Sequence, residues 1–407
     1  MWNGRCSRPC RAFSAVGRVV LARDPNITTV PTPACGRLFH RGVLALAGLT
    51  SPLTGQTGWR RWCPPGQGGR MVTLTLIDDP DGAQRRLFDD WVEVLAADGR
   101  HVFGADHTSW SADELRELGR STDRPRISWA AVTDDGTVVG AAGLVMPQHD
   151  NRTQGVVIVV VHPDHRRHGV GTLLLEHTEA VAREHGRTLL LTQTQWPVDG
   201  RDESGEEFAA PHGYAGAQTV LRSSLSLPAD RARLEAASSR TGDGADGYVM
   251  QTCWDGIPEE WLAGRAELSR RMSTDIPFGD LQLEEESWDE VRVRAEYQRI
   301  AAMGRRAVDT FAVHEASGEL VGYTQVQVPR GALVAFQQDT LVMREHRGHR
   351  VGLRMKAAST LALMAESPTT TSVRTWNADD NAPMLAVNHA VGYVHDAMMR
   401  EWQKEAP

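Results

Sequence analysis

The sequence predicts an α/β (α+β) protein in which a mixed twisted sheet flanked by helices occurs twice in tandem. Three observations indicate this fold class. The chain of 407 residues is long enough for two domains of roughly 150 residues each. Segments rich in β-branched residues, or with alternating apolar and polar residues, are typical of strands, and along the chain they are interspersed with segments of helical periodicity. The order of these segments in the first half also returns in the second half.

The repeat is visible at three pairs of landmarks: two strand-turn-strand segments, two Arg/Gly turns and two Gly-Tyr steps. The strand-turn-strand segments lie at residues 129–147 in the first copy and 311–329 in the second. The Arg/Gly turns lie at 166–171 and 347–352, and the Gly-Tyr steps at 213–214 and 392–393. The offsets are 182, 181 and 179 residues, the first measured between Pro147 and Pro329. Three landmarks in one order at nearly equal offsets indicate two copies of one architecture.

Each copy has the same predicted order of elements. Two helical segments come first, at 79–97 and 111–118 in the first copy and at 258–272 and 287–303 in the second. The strand pair follows, and then a strongly β-branched strand (155–161; 333–343), the Arg/Gly turn, a helix (172–185; 353–365) and a further strand (188–194; 372–376). A short helix and the Gly-Tyr step close each copy.

The two copies are predicted to span residues 71–228 and 248–407. The segment between them, 229–247, is rich in Ala, Ser, Arg, Gly and Asp, which is typical of a linker. Residues 1–70 hold ten arginines and one acidic residue, and Met71 opens a typical strand, so we expect a disordered leader or a mis-assigned translation start. Four of the five cysteines also lie in this leader, which leaves Cys253 in the body and fits a reducing cytoplasm.

The body of the chain, residues 71–407, is acidic. It contains 34 basic and 51 acidic residues and therefore carries a formal net charge of −17. No excess of positive charge is present to displace counterions from phosphates, so nucleic-acid binding is not expected. The acidity favours cationic partners such as amines, although it also simply promotes solubility. No apolar run reaches the roughly 18 residues of a membrane-spanning helix, so no membrane partner is expected.

The Arg/Gly turn of the first copy has the chemistry of an anion site. It follows a β-branched strand and opens a helix, so several backbone N–H groups without helical partners point at one place. Gly169 and Gly171 allow the backbone to approach a phosphate closely. In the second copy Arg350 stands where the first copy has Gly169. This costs about 1–2 kcal/mol if the position requires a positive φ, and otherwise offers a further guanidinium to a phosphate.

The pattern Arg166-x-x-Gly169-x-Gly171 between a strand and a helix resembles the acetyl-CoA pyrophosphate loop of the GNAT superfamily of N-acetyltransferases. The resemblance covers nearly all of residues 71–407, twice, in a tandem layout similar to that of mycothiol synthase. A Walker A loop does not fit because no Gly-Lys-Ser/Thr follows, and a dinucleotide-binding fold does not fit because a hairpin precedes the turn.

The resemblance implies cofactor-binding positions on both central strands, in both turns and at the start of the last helix. These are Val159, Val161, Arg166, Arg167, His168, Gly169, Val170, Gly171 and Thr172 in the first copy, and Leu341, Val342, Arg347, Gly348, His349, Arg350, Gly352 and Asn381 in the second. By the same resemblance Asn381 caps its helix and touches the pantetheine arm. A cap without any ligand contact explains this residue equally well.

Transfer of an acetyl group to an amine requires a base, because a free alkylamine with a pKa near about 10.4 is protonated at neutral pH. Asp339, a carboxylate within a strand otherwise heading for burial, is the candidate, with a salt-bridged or strand-edge Asp as the competing interpretation. The family often protonates the leaving thiolate with a Tyr four residues before the Gly of the Gly-aromatic step. This chain has Ala209 and Asn388 there, but a thiol of pKa about 8.5 is a fair leaving group unaided.

The sequence therefore predicts an acetyl-CoA-dependent N-acetyltransferase that acts on the amine of a small molecule, with acetyl-CoA as co-substrate. No metal is expected, because His162, His165 and His168 are spread across a proline and a turn and lack accompanying ligands. Two alternatives stay open. One is a non-catalytic acetyl-CoA-binding sensor or scaffold, as the missing Tyr and the altered second turn suggest; the other is a protein N-acetyltransferase.

Overall fold

The computed structural model describes residues 71–239 and 247–406, together with the backbone of the short strand β1 (Arg60–Arg61). Apart from that strand, the predicted leader, residues 1–70, lies outside the described residues. The α/β class is confirmed, since helices pack on a mixed sheet that has thirteen strands within the described residues. None of the helices described is long and apolar enough to cross a membrane.

The elements of the first copy follow the predicted order. They are β2 (Val72–Ile77), α1 (Arg85–Phe103), α2 (Ala112–Gly119), β3 (Arg126–Thr133), β4 (Val138–Val145), β5 (Gln154–Val161), α3 (Val170–Glu184), β6 (Leu189–Pro197) and β7 (Ala215–Ser226). α1 begins six residues after the predicted start at Asp79. The carboxylate of that residue accepts the N–H groups of Gly82 and Ala83 at 3.0 and 2.7 Å and stabilises a turn instead.

The second copy repeats the series after a helix, α4 (Arg231–Ser238). It consists of β8 (Tyr248–Trp254), α5 (Leu262–Asp275), α6 (Glu290–Ala302), β9 (Arg305–His314), β10 (Leu320–Pro329), β11 (Val334–Val342), α7 (Val351–Glu366), β12 (Ser372–Ala378), α8 (Ala382–Val391) and β13 (Val394–Glu405). α4 lies within the segment 229–247 that was predicted to be a linker. Its single large apolar side chain, Leu234, is fully buried, which fixes this half of the segment to the fold.

The last strands of the two copies have exchanged places. The strand order is β1-β2-β3-β4-β5-β6-β13-β7-β12-β11-β10-β9-β8. β13 therefore completes the sheet of the first copy by antiparallel pairing with β6, and β7 completes the sheet of the second copy by antiparallel pairing with β12. β7 and β13 also pair with each other, so one continuous sheet runs through both copies.

Side chains on β13 anchor this exchange in the core. Ala397 and Met399 are fully buried, and Trp402 donates its indole N–H to Thr194 on β6 at 2.8 Å. Near the end of the strand, the ammonium group of Lys404 lies 2.8 Å from the carboxylate of Glu179 on α3. The final strand of the second copy is thus part of the first copy's core.

We expect Met399→Ala to destabilise both copies together. Removing a fully buried methionine side chain costs about 2–5 kcal/mol, and here the strand involved belongs to both halves of the sheet. Denaturant unfolding followed by tryptophan fluorescence should show this loss in one transition, with hydrogen exchange rising in both copies.

Val394→Ala is the control on the same strand, because Val394 is 69% exposed and its truncation should change the free energy of unfolding by less than about 0.5 kcal/mol. Separate unfolding transitions for the two copies would contradict the structural coupling.

Candidate functional site

Two gaps open in the sheet, one in each copy, where neighbouring parallel strands separate. β5 pairs with β6 only along residues 154–156 and 189–191, and β11 pairs with β12 only along 334–336 and 372–374. Beyond these positions β5 and β11 stay paired with the preceding strand on one edge while the other edge faces the gap. The predicted cofactor positions Val159, Val161, Leu341 and Val342 lie on these stretches.

The two Arg/Gly turns share one backbone conformation. The residue after the first arginine is left-handed in both copies, with φ of 68° at Arg167 and 86° at Gly348. The residue before the helix is left-handed as well, with φ of 79° at Gly169 and 56° at Arg350. The position of Arg350 therefore does require a positive φ. Each turn keeps one arginine in a conformation that costs about 1–2 kcal/mol.

Both turns end on a helix start with free backbone donors. In α3 the first N–H that donates to the cap residue is that of Leu173, which binds the Gly169 carbonyl at 3.1 Å. In α7 the Arg354 N–H binds the Arg350 carbonyl in the same way, at 3.0 Å. The N–H groups of residues 170–172 and 351–353 precede these donors and have no carbonyl within their helix to bind. Together with the positive end of the helix dipole they form a site suited to an anion.

The first arginine of each turn holds the turn onto the preceding strand. Arg166 donates from Nε to the Val161 carbonyl at 3.2 Å, and Arg347 does the same to the Val342 carbonyl at 3.0 Å. Arg166 also pairs with buried Asp98 on α1, where burial raises the carboxyl pKa to about 7 against the opposing effect of the guanidinium. Because the Arg166 and Arg347 side chains already bind other parts of the fold, we expect the backbone N–H groups at these residues to contact a phosphate.

The space in front of the two helix starts differs between the copies. A Cβ on Gly171 would come within 3.1 Å of the ring of Phe208, which is itself buried. A Cβ on Gly352, the equivalent residue, would meet only a methyl group of Val342 at 3.7 Å. The cleft of the second copy is therefore open at the point where that of the first copy is filled by an aromatic ring.

A cavity of about 1490 Å³ lies against the sheet, with walls from both copies. The first copy contributes α1, α2 and the loop after each of them, together with apolar side chains of β5. The second copy contributes α5, α6 and polar side chains of β10, β11 and β12. Asp339 and Asn381, predicted as functional residues from distant parts of the second copy, line this same cavity.

Asp339 is half-buried in a polar setting, on the stretch of β11 that borders the gap. The hydroxyl of Tyr323 donates to its Oδ2 at 2.8 Å, and the guanidinium of Arg265 lies 3.8 Å from the centre of the Tyr323 ring. Burial raises the pKa of the Asp339 carboxyl above its usual range, against the opposing effects of Arg265 and of the hydrogen bond from Tyr323. A carboxylate in this setting suits a proton acceptor.

Further polar side chains surround Asp339 on the same face of the sheet. Gln337 donates to the Gln325 carbonyl at 2.7 Å, and the Gln325 side chain donates to Asp309 at 2.9 Å. Burial raises the pKa of Asp309 to about 6, with Arg265 as the opposing cation. The equivalent strands β4 and β5 of the first copy present mainly Val, Ile, Leu and Ala, so they offer no carboxylate in the place of Asp339.

The helix α8 begins as predicted at Asn381, whose side chain accepts the N–H of Met384 at 3.3 Å. At the position of the missing Tyr, Asn388 is buried and accepts a hydrogen bond from Lys356 at 2.6 Å. Burial lowers the pKa of the Lys356 ammonium to about 7. Lys356 does not line the cavity, so within the described residues this pair acts on the packing of α7 and α8 rather than on a ligand.

Sequence reasoning missed Tyr323, Arg265 and the acidic partner Asp98. Tyr323 and Arg265 carry no local motif, because their role depends on β10 and α5 meeting Asp339 in space. Asp98 and Tyr323 each stand within a largely apolar stretch, which was the available signal, whereas Arg265 lies in a helix with several other charged residues. Among the described residues no group of His, Cys, Asp and Glu is arranged to hold a metal ion.

Comparison with known proteins agrees with this geometry. The family described as Acetyltransferase (GNAT) family matches residues 89–195. A solved tandem GNAT protein from the clavulanic acid biosynthesis pathway is 27% identical with a TM-score of 0.67, over 82% of this chain and 99% of that chain. A GCN5-related N-acetyltransferase from Sphaerobacter thermophilus is 16% identical with a TM-score of 0.57, over 82% and 96% of the two chains. No curated protein matches.

The first of these structures shares the tandem arrangement along its whole length, and the second supports the fold. The repeated turns, the paired gaps in the sheet and the matched family lead to one assignment. Residues 89–195 belong to the GNAT family of acetyltransferases, and 82% of the chain is similar in fold to a solved tandem GNAT protein.

Proposed function

We propose that the chain transfers the acetyl group of acetyl-CoA to the amine of a small molecule, and that the second copy, residues 248–407, carries out the reaction. The observation that carries this proposal is the position of Asp339, which lines the cavity shared by the two copies and lies on the strand that leads to an anion-binding helix start. Residues 71–228 form the first copy, and the proposed compartment is the cytoplasm, in which Cys253 stays reduced.

The residues of the second turn fit the pyrophosphate of the acyl donor. The N–H groups of residues 351–353 are free of helix partners, and a Cβ on Gly348 or Gly352 would meet little or nothing in the space outside. Arg350 lies exposed at the cap of the same helix and adds a positive charge to the site. Backbone donors at a helix start are a general solution for binding a diphosphate.

The protein's part in the reaction is to supply a neutral amine next to the thioester. An ammonium group entering the cavity gives up one proton to Asp339, which burial makes a better base than an ordinary carboxylate. The amine nitrogen then attacks the thioester carbonyl, a C–N bond forms and the C–S bond breaks. The nitrogen loses its second proton to solvent as the amide forms, and the departing thiolate takes a proton from solvent. Asp339 then releases the first proton to solvent, so the products are an N-acetyl amide, free coenzyme A and one proton.

The first copy supports a second role. Phe208 covers Gly171, and the strand facing its gap is apolar, so this copy offers an anion-binding turn without a candidate base. We propose that it binds a ligand of the same class without transferring the acyl group, as a sensor or scaffold would.

Gly352→Trp is expected to lower kcat/KM for acetyl-CoA by about a hundredfold or more, because the indole would fill the open cleft at the helix start. Acetylation of a panel of amines, followed by release of free thiol, measures this effect. Gly352→Ala is the conservative control, since its methyl group meets only Val342 at an ordinary contact distance.

The test in the first copy uses Gly169→Trp, at the position of Arg350, where a Cβ meets no atom within 4 Å. The φ of 79° at this position costs a tryptophan about 1–2 kcal/mol, as it does the arginine of the second copy. This variant should keep the activity. The proposal for the second copy is wrong if Gly169→Trp abolishes turnover while Gly352→Trp leaves it intact.

Asp339→Asn should lower kcat by about 10²–10⁴-fold, the usual contribution of a general base. The raised pKa of Asp339 also predicts that the activity of the wild-type chain falls as the pH drops through that pKa, because protonation removes the base. Tyr323→Phe removes the hydrogen bond that stabilises the carboxylate, so it should raise this pKa and move the acid limb of the profile to higher pH.

The pH profile of kcat distinguishes a base from a structural residue. An acid limb at the same pH in Tyr323→Phe and in the wild-type chain would show that Asp339 is not the titrating group.

A further inference from the structure

Arg126, the first residue of β3, is a cation without a counter-ion in the wall of the central cavity. It lines the cavity, and its Nε is buried without a hydrogen-bond acceptor. Among the described residues no carboxylate forms an ion pair with it. Two other arginines of the cavity wall have carboxylate partners, Arg305 with Glu114 at 2.7 Å and Arg292 with Asp150 at 2.6 Å.

The surroundings of Arg126 add positive charge. Arg124 binds Glu286 at 3.0 Å, and Arg299 pairs with Glu296. Burial is the main cause that lowers the pKa of Arg126, to about 10, and the charges of Arg299 and Arg124 act in the same direction. The nearby carboxylates of Asp123, Glu286 and Glu296 lie with Arg124 and Arg299 rather than with Arg126, which stays charged at neutral pH.

An uncompensated charge in a sheltered wall is costly, since removing a cation from water is offset only by an anion with good geometry. A guanidinium offers two parallel N–H donors to a carboxylate, which makes arginine the usual residue for this anion. The Arg126 side chain lines a space large enough for a small molecule. The side chain therefore has the properties of a ligand site rather than of a structural ion pair.

This site shares a wall with the proposed base. Glu286 and Glu296, the partners of Arg124 and Arg299, are close enough to Asp339 to raise the pKa of its carboxyl. The cavity thus has an uncompensated cation contributed by the first copy and a proton acceptor contributed by the second. We infer that the acetyl acceptor is an amine that also carries a carboxylate, which Arg126 binds while the amine lies at Asp339. This inference rests on the proposed function and specifies its substrate class.

The test compares amines that differ only in the anionic group. The panel consists of ω-amino carboxylates from glycine to 6-aminohexanoate, each paired with the amino alcohol of the same chain length. The wild-type chain should acetylate the best amino carboxylate with a kcat/KM about tenfold or more above that of its alcohol partner, the effect of one charge-assisted hydrogen bond. Arg126→Met should reduce this ratio to about one and leave kcat/KM for the alcohols unchanged.

The control is Arg120→Met, at the exposed rim of the same cavity, where the arginine already pairs with Asp81 at 2.8 Å. This variant should keep the preference for carboxylates. Arg126→Met should also fold, because it removes a charge that has no partner in the protein. Equal kcat/KM for both members of every pair, or a preference that survives in Arg126→Met, overturns the inference.

Binding without acetyl-CoA separates this inference from the proposed function. The amino carboxylates should raise the Tm of the wild-type chain and of Arg120→Met, but not that of Arg126→Met. If no amine is acetylated but this pattern of Tm shifts is seen, the carboxylate site stands and the proposed transferase function fails. If the Tm of the wild-type chain does not respond, the carboxylate site fails whatever the turnover.

Discussion

The antiparallel pairing of β7 with β13 is the interaction on which the arrangement of the two copies depends. Each of these strands leaves its own copy and completes the sheet of the other, so the backbone hydrogen bonds of both sheets rely on the exchange. A continuous sheet keeps the helices α1 and α2 of one copy facing α5 and α6 of the other. The central cavity exists because these helix pairs stand opposite each other over one sheet.

The exchange also explains how two similar copies can differ in chemistry. Since each copy has the same turn and the same gap, the distinguishing features are the side chains around the gap. In the first copy Phe208 fills the space at Gly171, whereas in the second copy Gly352 faces open space and β11 carries Asp339. Because both copies border one cavity, the first copy can contribute a wall of the proposed acceptor site while the proposed base lies in the second.

Much of the fold could be predicted from the sequence because its signals are local. The two Gly-Tyr steps require a positive φ, and Gly213 and Gly392 adopt φ of 87° and 116°. The cap at Asn381 follows from a side chain that binds a nearby N–H group. The strand exchange has no such signal, since β7 and β13 are compatible with pairing within one copy and their partners are decided by the complete sheet.

The candidate site was predictable in part for the same reason. The turns and Asp339 stand out in the sequence, but the conformation of Arg350 could only be decided by the backbone, which turns out to be left-handed as at Gly169. The composition of the predicted linker gave no sign of the helix around Leu234, whose side chain is buried in the core. Arg126 gave no signal at all, because a missing counter-ion is a property of three-dimensional surroundings.

A crystal structure of the full chain with coenzyme A and an amino carboxylate tests the central claim most directly. The pyrophosphate should lie at the N–H groups of residues 351–353, with the sulfur and the amine next to Asp339 and the carboxylate at Arg126. A diphosphate bound only at the first turn, or an acceptor outside the shared cavity, would contradict the assignment of chemistry to the second copy.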